Sequence, residues 1–414
     1  MTPVAELGRR AQAASRVLAT APTDQKAAAL QTAADLLEER APEVLAANAL
    51  DQQAAETSGL APGPLDRLRL TDDRLASMAD GLRQVAILAD PVGDVLEEWT
   101  TAAGLAIQKV RVPLGVVAII YENRPNVTSD AGGLCLMSGN AALLRGSATA
   151  LESNRAVTGV LRDALAKVDL PDDAIVLVDD ASHDTVVEVM RLTEYVDCLI
   201  PRGGPDLVGS VRENATVPVI IDGDGNCHVY VDAGADLEQA LAIVVNSKIQ
   251  RPSVCNAAES LVVHESVADE FVPRVSEALA AKGVELVGDS AAQALAPMGA
   301  ATDDDFGREF LDLKLSVAVT PTLDAAIAHI NRYGTGHTEV IVTRDADAAR
   351  RFTTEVDAAV VIHNASSRFT DGERFGFGAE IGISTQKLHA RGPMALRELT
   401  TYKYVVHGDG QVVS

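Results

Sequence analysis

Hydrophobic positions in the first ninety residues recur with the period of an α-helix. The pattern is clearest in an alanine-rich stretch that contains Leu30, Ala33, Leu36 and Leu37. It predicts helices over residues 4–20 and 25–58, with Pro22-Thr23-Asp24 as a start signal and Gly59 as a stop signal. A further helix is predicted from Thr71-Asp72-Asp73 to about Ala89. This region is a helical lead-in without visible chemistry.

The pattern changes to that of β-strands between residues 94 and 122. Residues 95–112 indicate a hairpin that turns near Ala103-Gly104. Residues 114–121 form a nearly continuous apolar run, which is typical of a strand buried on both faces. The following segments alternate between predicted helices (127–138, 150–167, 182–192 and 205–214) and predicted strands (141–145, 175–178, 196–200 and 217–221). Such alternation predicts a parallel sheet with helices on both faces, which binds ligands at the carboxyl ends of its strands.

Residues 236–362 repeat the α/β alternation and predict a second domain, joined to the first near residues 222–233. Helices are expected at 236–247, 267–283, 323–331 and 345–356, and strands at 258–264, 313–319, 339–343 and 358–362. Residues 401–406 end the chain as a last strand, which, like the hairpin 95–112, indicates strand pairing between subunits.

Composition and charge narrow the class of protein. The 414 residues are 47% hydrophobic and 23% charged, which is ordinary for a globular protein of this length. The net charge of −24 argues against binding to nucleic acid or to an anionic membrane surface, because both require basic patches. No apolar run of about 20 residues and no signal peptide are visible, so we expect a protein of the reducing cytoplasm.

The candidate chemistry centres on the segment from Asn246 to Asn256, which follows a predicted helix and precedes a predicted strand. It contains one thiol, Cys255, near two cations, Lys248 and Arg251. Cations favour the thiolate, which is the nucleophilic form of cysteine. Most isolated cysteines are small buried hydrophobic residues, and this context alone does not exclude that role.

Two glycine-bearing loops follow predicted strands of the first domain. They are Arg145-Gly146-Ser147 and Arg202-Gly203-Gly204-Pro205. Glycine lets the backbone approach a phosphate, a helix N-terminus favours an anion, and arginine supplies a fork of donors. Neither loop has the G-x-G-x-x-G pattern, and a tight turn with a solvated arginine explains each equally well. Their joint occurrence favours a dinucleotide.

Metal sites and a Cys–His pair are not indicated. The four cysteines form no C-x-x-C pattern, and a disulfide framework is improbable in so long a chain. The Asp/Gly-rich turn at residues 222–226 lacks the spacing of an EF-hand. Cys227 and His228 are neighbours in a predicted strand, so their side chains should point to opposite faces.

A long polar and glycine-rich stretch occupies residues 364–394. A loop of this length in a compact domain is usually functional. Its cations Arg368, Lys387 and Arg391 could hold an anionic substrate, although an irregular structural tail is the alternative.

Four separated motifs, in order along nearly the whole chain, resemble the aldehyde dehydrogenase superfamily. They are residues 121–128 (Tyr-Glu-Asn-Arg-Pro-Asn-Val-Thr), 200–204 (Ile-Pro-Arg-Gly-Gly), 250–256 (Gln-Arg-Pro-Ser-Val-Cys-Asn) and 384–393 (Ser-Thr-Gln-Lys-Leu-His-Ala-Arg-Gly-Pro). The resemblance implies an α/β fold with a Rossmann-type cofactor domain, an α/β catalytic domain and a small oligomerisation strand element. It places the cofactor domain at 1–94 and 113–227, the oligomerisation strands at 95–112 and 395–414, the catalytic domain at 228–363 and a substrate-binding return segment at 364–394.

The resemblance also implies a role for individual residues. Cys255 matches the family's nucleophile, and Asn126 matches the asparagine whose amide helps to form the oxyanion hole. The cofactor NADP(H) would contact Arg145, Gly146, Ser147, Gly203, Gly204 and, by a looser alignment, Glu309. Arg145 stands where many relatives have a lysine, and an arginine there fits the 2′-phosphate of NADP. The candidates for substrate phosphate and carboxylate are Arg124, Arg251, Arg368 and Arg391.

One departure from the family pattern distinguishes a hydrolytic enzyme from a reductase. Hydrolytic members carry a general-base glutamate where this chain has Ile221, with Asp222 beside it. A missing base handicaps deacylation by water, but an acyl-phosphate reductase has no need of it. The resemblance therefore implies NADPH-dependent reduction of L-glutamyl 5-phosphate to L-glutamate 5-semialdehyde and phosphate through a cysteine thioester, in proline biosynthesis. Expected partners are this small substrate, a second copy of the chain in a homo-oligomer, and glutamate 5-kinase as the source of the substrate.

Three alternatives remain open from the sequence. A coenzyme A-acylating aldehyde dehydrogenase would share the fold and the thiol. A thiol hydrolase could pair Cys255 with His264 or His389. A non-catalytic scaffold would need neither Cys255 nor Asn126 at their motif positions.

Overall fold

The computed structural model describes residues 2–180 and 182–413. The chain divides into two compact units. The first comprises Met1–Ile221, Phe377–Gly382 and Met394–Ser414, and the second comprises Asp222–Gly376 and Ile383–Pro393. The functional domain assignment made from the sequence stays a prediction.

The helices of the described residues are, in chain order, α1 (Val4–Leu18), α2 (Thr23–Glu39), α3 (Ala41–Thr57), α4 (Pro62–Leu68), α5 (Asp72–Ala86), α6 (Asn126–Met137), α7 (Leu151–Lys167), α8 (His183–Met190), α9 (Pro205–Asn214), α10 (Leu237–Ile249), α11 (Glu265–Ala280), α12 (Ser290–Leu295), α13 (Asp303–Phe306), α14 (Leu323–Tyr333) and α15 (Ala346–Glu355). The strands are β1 (Val95–Thr100), β2 (Ala106–Pro113), β3 (Val116–Tyr121), β4 (Ala141–Gly146), β5 (Ile175–Leu177), β6 (Cys198–Arg202), β7 (Cys227–Val231), β8 (Ala258–His264), β9 (Glu285–Gly288), β10 (Gly299–Ala300), β11 (Lys314–Thr320), β12 (Thr338–Val342), β13 (Val360–His363), β14 (Ile383–Ser384), β15 (Gly392–Pro393) and β16 (Thr400–His407).

The helical lead-in is confirmed, with one correction. The continuous helix predicted over residues 25–58 is two helices, α2 and α3, which meet at Arg40. Pro42 lies in the first turn of α3, where its missing N–H costs nothing. Inside a longer helix the same ring would clash with the carbonyl of Glu38. The predicted cap at Thr71 is confirmed, because its side chain accepts a hydrogen bond from the Arg74 N–H.

The first unit contains a four-stranded parallel sheet in the order β5-β4-β3-β6. All six residues of β3 are buried, as the apolar run predicted. The strand predicted at 217–221 is wrong, because only an isolated bridge between Val219 and Leu199 forms there. Pro218 has no N–H to donate, so the ladder cannot extend through this segment.

A second sheet of this unit is antiparallel, in the order β1-β2-β16. The hairpin predicted at 95–112 forms β1 and β2. The terminal strand β16 pairs with β2 of its own chain, from Thr400 opposite Pro113 to His407 opposite Ala106. Strand pairing with a partner subunit stays a prediction.

The second unit contains a seven-stranded parallel sheet in the order β10-β9-β11-β8-β7-β12-β13. Its larger apolar core packs α10 and α11 against β7, β8 and β11. The predicted alternation is confirmed, but β9, α12, β10 and α13 were missed because each is too short to show a period. The residues before β7 and before β8 lie at the amino edge of this sheet, where the candidate nucleophile is found.

Within residues 2–180 and 182–413, no helix combines the length and the apolar composition that crossing a membrane requires.

Candidate active site

Cys255 lies in the second unit, in the loop between α10 and β8, and its side chain is half-buried. Its backbone carbonyl accepts a hydrogen bond from the thiol of Cys227, with 3.1 Å between Sγ and O. Gly225 packs against the same peptide so closely that an added Cβ would lie 1.6 Å from the Cys255 carbonyl oxygen. Residues 250–257, here called the thiol loop, are therefore held in place by contacts with the residues at the start of β7.

Cys227 and His228 point to opposite faces of β7, as expected. The Cys227 thiol faces the Cys255 carbonyl and lies 3.7 Å from Nδ1 of His337, and burial raises the pKa of this thiol. His228 instead contacts Glu339, with 3.0 Å between Nδ1 and Oε2. The two side chains do not form a catalytic pair.

Replacing Gly225 with alanine is expected to lower kcat about 100-fold while the fold persists. The new methyl group would displace the Cys255 backbone, and a misplacement of about 1 Å can cost that much in rate. Steady-state kinetics with a thermal melt would measure both effects. The control is Gly159→Ala on α7, where an added Cβ meets nothing within 4 Å. Equal activity of the two variants would show that the Gly225 contact does not position the nucleophile.

Glu309 is joined to this segment, because its Oε1 accepts a hydrogen bond of 2.9 Å from the Gly225 N–H. Burial raises the pKa of the Glu309 carboxyl group. Two residues further on, Leu311 adopts the left-handed backbone conformation, and its N–H donates to Oε1 of Glu259 over 3.1 Å. The other Glu259 oxygen forms a fully buried ion pair of 2.6 Å with Lys248 of α10. This ion pair anchors the turn that carries Glu309.

The predicted anion-binding arginines occupy different environments. Arg368 is buried, with 4% of its surface exposed, in the second unit. Arg391 and Lys387 both form ion pairs with Asp357, which partly neutralises their charges. Arg251, two residues after α10, is exposed. Arg124 is also exposed, but it belongs to the first unit.

Asn126, the predicted oxyanion donor, is the first residue of α6 in the first unit. Its amide Nδ2 donates to Oδ2 of Asp130 over 2.8 Å. Asp130 lies one helical turn later, on the same face of α6. Burial raises the pKa of Asp130 to about 6, against hydrogen bonding from Asn126 that lowers it. Asp130 thus orients the amide of Asn126, a role that the sequence analysis missed although the i,i+4 spacing could have indicated it.

Asp130→Asn is expected to stabilise the protein at pH 8 and to lower its kcat. The folded pKa of Asp130 lies above the ordinary aspartate value of 3.8, so the contribution of this group to stability is full below about pH 4 and is lost as the pH rises through 6. The ionised carboxylate therefore costs of order 1–3 kcal/mol at pH 8, which asparagine would recover. Urea unfolding at pH 8 and pH 4 would measure the difference.

The control for this prediction is Asp35→Asn, which changes an exposed carboxylate of α2 that pairs with Arg83. Its effect should stay within about 0.5 kcal/mol at both pH values. A stabilisation by Asp130→Asn that is equally large at pH 4 would contradict the assignment, because it could not arise from ionisation.

The loop after β4 contains the predicted cofactor residues Arg145, Gly146 and Ser147. Arg145 is buried and donates to the carbonyl oxygens of Gly146 (3.1 Å) and Ser182 (3.0 Å). An added Cβ at Gly146 would lie 2.0 Å from the Asn154 amide of α7, so this glycine permits close helix packing. Ser147 donates to the side chain of Asn123 over 2.9 Å. Contact of these residues with NADP stays a prediction.

The loop after β6 contains the predicted cofactor residues Gly203 and Gly204. Gly204 precedes α9, and its N–H donates to Oε2 of Glu122 over 2.9 Å, so the loop already binds an anionic oxygen. An added Cβ at Gly203 would lie 2.6 Å from Cδ of the same glutamate. Glycine at position 203 thus permits the close approach of a negatively charged group to the helix N-terminus.

Ile221 and Asp222 occupy the position at which the sequence analysis found no general-base glutamate. Ile221 is buried. Oδ1 of Asp222 accepts a hydrogen bond of 2.8 Å from the Ile383 N–H, next to the bridge between Asp222 and Ser384. His264 lies at the far end of β8 from Cys255, about 20 Å away along a seven-residue strand, and its Nδ1 contacts Ser266. It is too distant to activate the thiol.

The sequence and the fold match a family of known enzymes. The model of the aldehyde dehydrogenase family matches residues 2–305. Gamma-glutamyl phosphate reductase from Carboxydothermus hydrogenoformans is 53% identical, with 100% of each chain covered. The crystal structure of gamma-glutamyl phosphate reductase from Thermotoga maritima is 46% identical, covers 99% of both chains and has a TM-score of 0.96.

A solved acetylating aldehyde dehydrogenase from Geobacillus thermoglucosidasius is 16% identical, covers 99% of this chain and 97% of its own, and has a TM-score of 0.71. That likeness concerns the fold alone. The predicted class is thus confirmed, since the chain belongs to the aldehyde dehydrogenase family. Within that family it is grouped with the gamma-glutamyl phosphate reductases.

Proposed function

We propose that this protein reduces L-glutamyl 5-phosphate to L-glutamate 5-semialdehyde and phosphate, with NADPH as the reductant, in proline biosynthesis. The observation that carries the proposal is the half-buried Cys255, held on a fixed loop in a chain about half identical over its whole length to gamma-glutamyl phosphate reductases. A lone buried thiol would need neither the close approach of Gly225 nor the bond from Cys227 to its carbonyl.

In this mechanism the Cys255 thiolate attacks the acyl carbon of the substrate. The S–C bond forms, the C–O bond to phosphate breaks, and phosphate leaves with the electron pair. The product is a thioester on Cys255, so one difficult reaction becomes two easier ones. Gly225 and Cys227 keep the thiol loop in one geometry throughout.

Asn126 serves as the amide donor to the oxyanion that develops on the substrate. One such donor commonly contributes about 3 kcal/mol to transition-state stabilisation. Asp130 holds the Asn126 amide by accepting from Nδ2, which fixes the direction of its second N–H.

The family uses a nicotinamide cofactor, and the loop amides that hold an anionic oxygen support its phosphate groups at Gly203 and Gly204. Arg145, Gly146 and Ser147 would hold the ribose end, and the half-buried carboxylate of Glu309 would accept from a ribose hydroxyl group. When bound, the cofactor supplies the hydride that reduces the thioester. Arg145 is the reason to expect NADPH rather than NADH.

The absence of a base supports phosphate, rather than water, as the partner of the acyl group. Ile221 cannot accept a proton, and Asp222 accepts a backbone N–H instead. Water would therefore attack the thioester slowly, which preserves it for reduction. We propose a cytoplasmic homo-oligomer that takes its substrate from glutamate 5-kinase, because an acyl phosphate is labile and needs a nearby source.

The test is the reverse reaction with the purified wild-type protein. NADP, L-glutamate 5-semialdehyde and inorganic phosphate should give continuous NADPH formation that saturates with phosphate. Replacing phosphate with coenzyme A should give no turnover. Phosphate-independent turnover would indicate a hydrolytic dehydrogenase, and turnover with coenzyme A would indicate the acylating alternative.

A further inference from the structure

Residues 366–370, here called the clasp, form direct hydrogen bonds with the thiol loop. Oγ of Ser367 donates to the carbonyl of Asn256 over 2.6 Å. The Asn256 side chain donates back to the carbonyl of Thr370, also over 2.6 Å. The Ser367 N–H donates to Oγ of Ser247 on α10 over 3.2 Å. Because Asn256 follows Cys255 in the chain, these buried bonds fix the clasp relative to the thiol.

Arg368 is the central residue of the clasp. Its Nε donates to Oε1 of Gln250 over 2.8 Å, which sets the plane of the guanidinium group. Its Nη1 is buried and has no hydrogen-bond partner. Among the described residues, no carboxylate forms an ion pair with Arg368. A buried cation and a buried donor that both lack a counterpart are costly, so such a group is expected where a ligand supplies the missing partner.

The charges around Arg368 point to an anion close to the sulfur. Burial lowers the pKa of the guanidinium, and the neighbouring charges of Arg374 and Arg251 lower it further, whereas Asp371 and Cys255 raise it. Arg251, Arg374 and Cys255 thus lie within electrostatic reach of Arg368. An anion with more than one negative charge suits this environment.

We infer that Arg368 binds the phosphate that leaves the acyl carbon, and not the α-carboxylate of the substrate. This inference rests on the proposed function. The phosphate is attached to the carbon that Cys255 attacks, whereas the carboxylate lies at the far end of a four-carbon chain. A group fixed beside the thiol loop therefore meets the phosphate. The planar fork matches two phosphate oxygens and neutralises the charge that grows as the C–O bond breaks.

The reverse reaction distinguishes phosphate binding from carboxylate binding, because the aldehyde substrate reacts in a first stage and phosphate only in a second. The Cys255 thiol adds to the aldehyde to give a thiohemiacetal. Loss of hydride from its carbon to NADP and of its hydroxyl proton to solvent leaves a thioester, and this stage consumes no phosphate. A phosphate oxygen then attacks the thioester, the C–S bond breaks, and the thiolate is released. Rapid mixing of the wild-type protein with L-glutamate 5-semialdehyde and NADP alone should give a burst of about one NADPH per site. Added inorganic phosphate should then start continuous turnover.

The test variants are Arg368→Met and Arg368→Lys. Both should keep the phosphate-independent burst within a few-fold of wild type. Arg368→Met should lose about 10- to 100-fold in kcat/KM for inorganic phosphate, the range expected for one charge-assisted contact. Arg368→Lys keeps a cation but not the planar guanidinium fork, so its kcat/KM for inorganic phosphate should lie between those of the wild type and of Arg368→Met. The burst also reports that each variant is folded and that its cofactor site works.

The matched control is Arg350→Met, which removes an exposed arginine of α15 that pairs with Asp347. It should leave both stages unchanged. An unchanged KM for phosphate in Arg368→Met, or a burst lost through a raised KM for the aldehyde, would overturn the assignment and indicate carboxylate binding. A wild-type protein without any phosphate-dependent turnover would instead overturn the proposed function, and with it the inference.

Discussion

Cys255→Ser should lower phosphate-dependent turnover by at least about 10⁴-fold, the scale on which loss of a catalytic nucleophile acts. The serine hydroxyl is far less acidic than a thiol, so almost none of it is in the nucleophilic, deprotonated form near neutral pH. The hydroxyl group is nearly isosteric, so the half-buried loop should keep its structure. Kinetics of the reverse reaction would measure the loss.

Intact-protein mass spectrometry supplies a second readout of the same prediction. Wild type mixed with the aldehyde and NADP, without phosphate, should gain the mass of one acyl group, and the variant should not. The control is Cys135→Ala, because Cys135 is buried in α6 and should affect turnover only a few-fold. Retained turnover in Cys255→Ser would return Cys255 to the role of a small buried residue.

Lys248→Met should destabilise the second unit by about 3–5 kcal/mol, the usual effect of removing one partner of a buried ion pair. Lys248 and Glu259 are both inaccessible to solvent and lie 2.6 Å apart. Burial lowers the pKa of Lys248 and raises that of Glu259, so each charge depends on the other. Without the lysine, the carboxylate would be left buried and uncompensated. Urea unfolding at pH 8 would measure the change.

Two further measurements separate this effect from lost packing. In Lys248→Met, Glu259 should bind a proton more readily, so the lost stability should return in part as the pH is lowered to 5. Adding Glu259→Gln to the variant should recover part of it at pH 8, because the buried charge is then gone. Lys282→Met, at an exposed position, should change stability by less than about 0.5 kcal/mol. A loss that is independent of pH would indicate packing alone.

The sequence predicted most of the secondary structure, and its errors have local causes. The apolar run of β3 and the two series of alternating strands and helices were confirmed because burial on both faces leaves a pattern that needs no neighbour to interpret. The continuous helix across Pro42 and the strand across Pro218 were wrong. In both cases the prediction followed the hydrophobic pattern and gave too little weight to a proline, whose missing N–H interrupts the helix or the strand.

The sequence predicted only those candidate site residues that belong to contiguous motifs. Cys255, Asn126 and the glycine loops follow from residue types in order along the chain. Asp130 could have been found from its spacing to Asn126. The contacts of Gly225 with Cys255, and of Ser367 with Asn256, join residues 30 and 111 positions apart, and no local pattern indicates such pairs. The Asp/Gly-rich turn at 222–226, considered only as a calcium loop from the sequence, is the segment that packs against the backbone of Cys255.

The sequence by itself determined the class of fold and the family, because these depend on periodicity and on motifs that are contiguous in the chain. The same motifs predict Cys255 as the nucleophile. Only the tertiary structure decided which charges are available for chemistry. Arg368, Arg391 and Lys387 are equivalent cations in the sequence. Folding pairs Arg391 and Lys387 with Asp357 and buries Arg368 beside the thiol loop without a carboxylate partner. The physical reason is that the energy of a charge depends on its burial and on its counter-charges, and both are set by residues distant in the sequence.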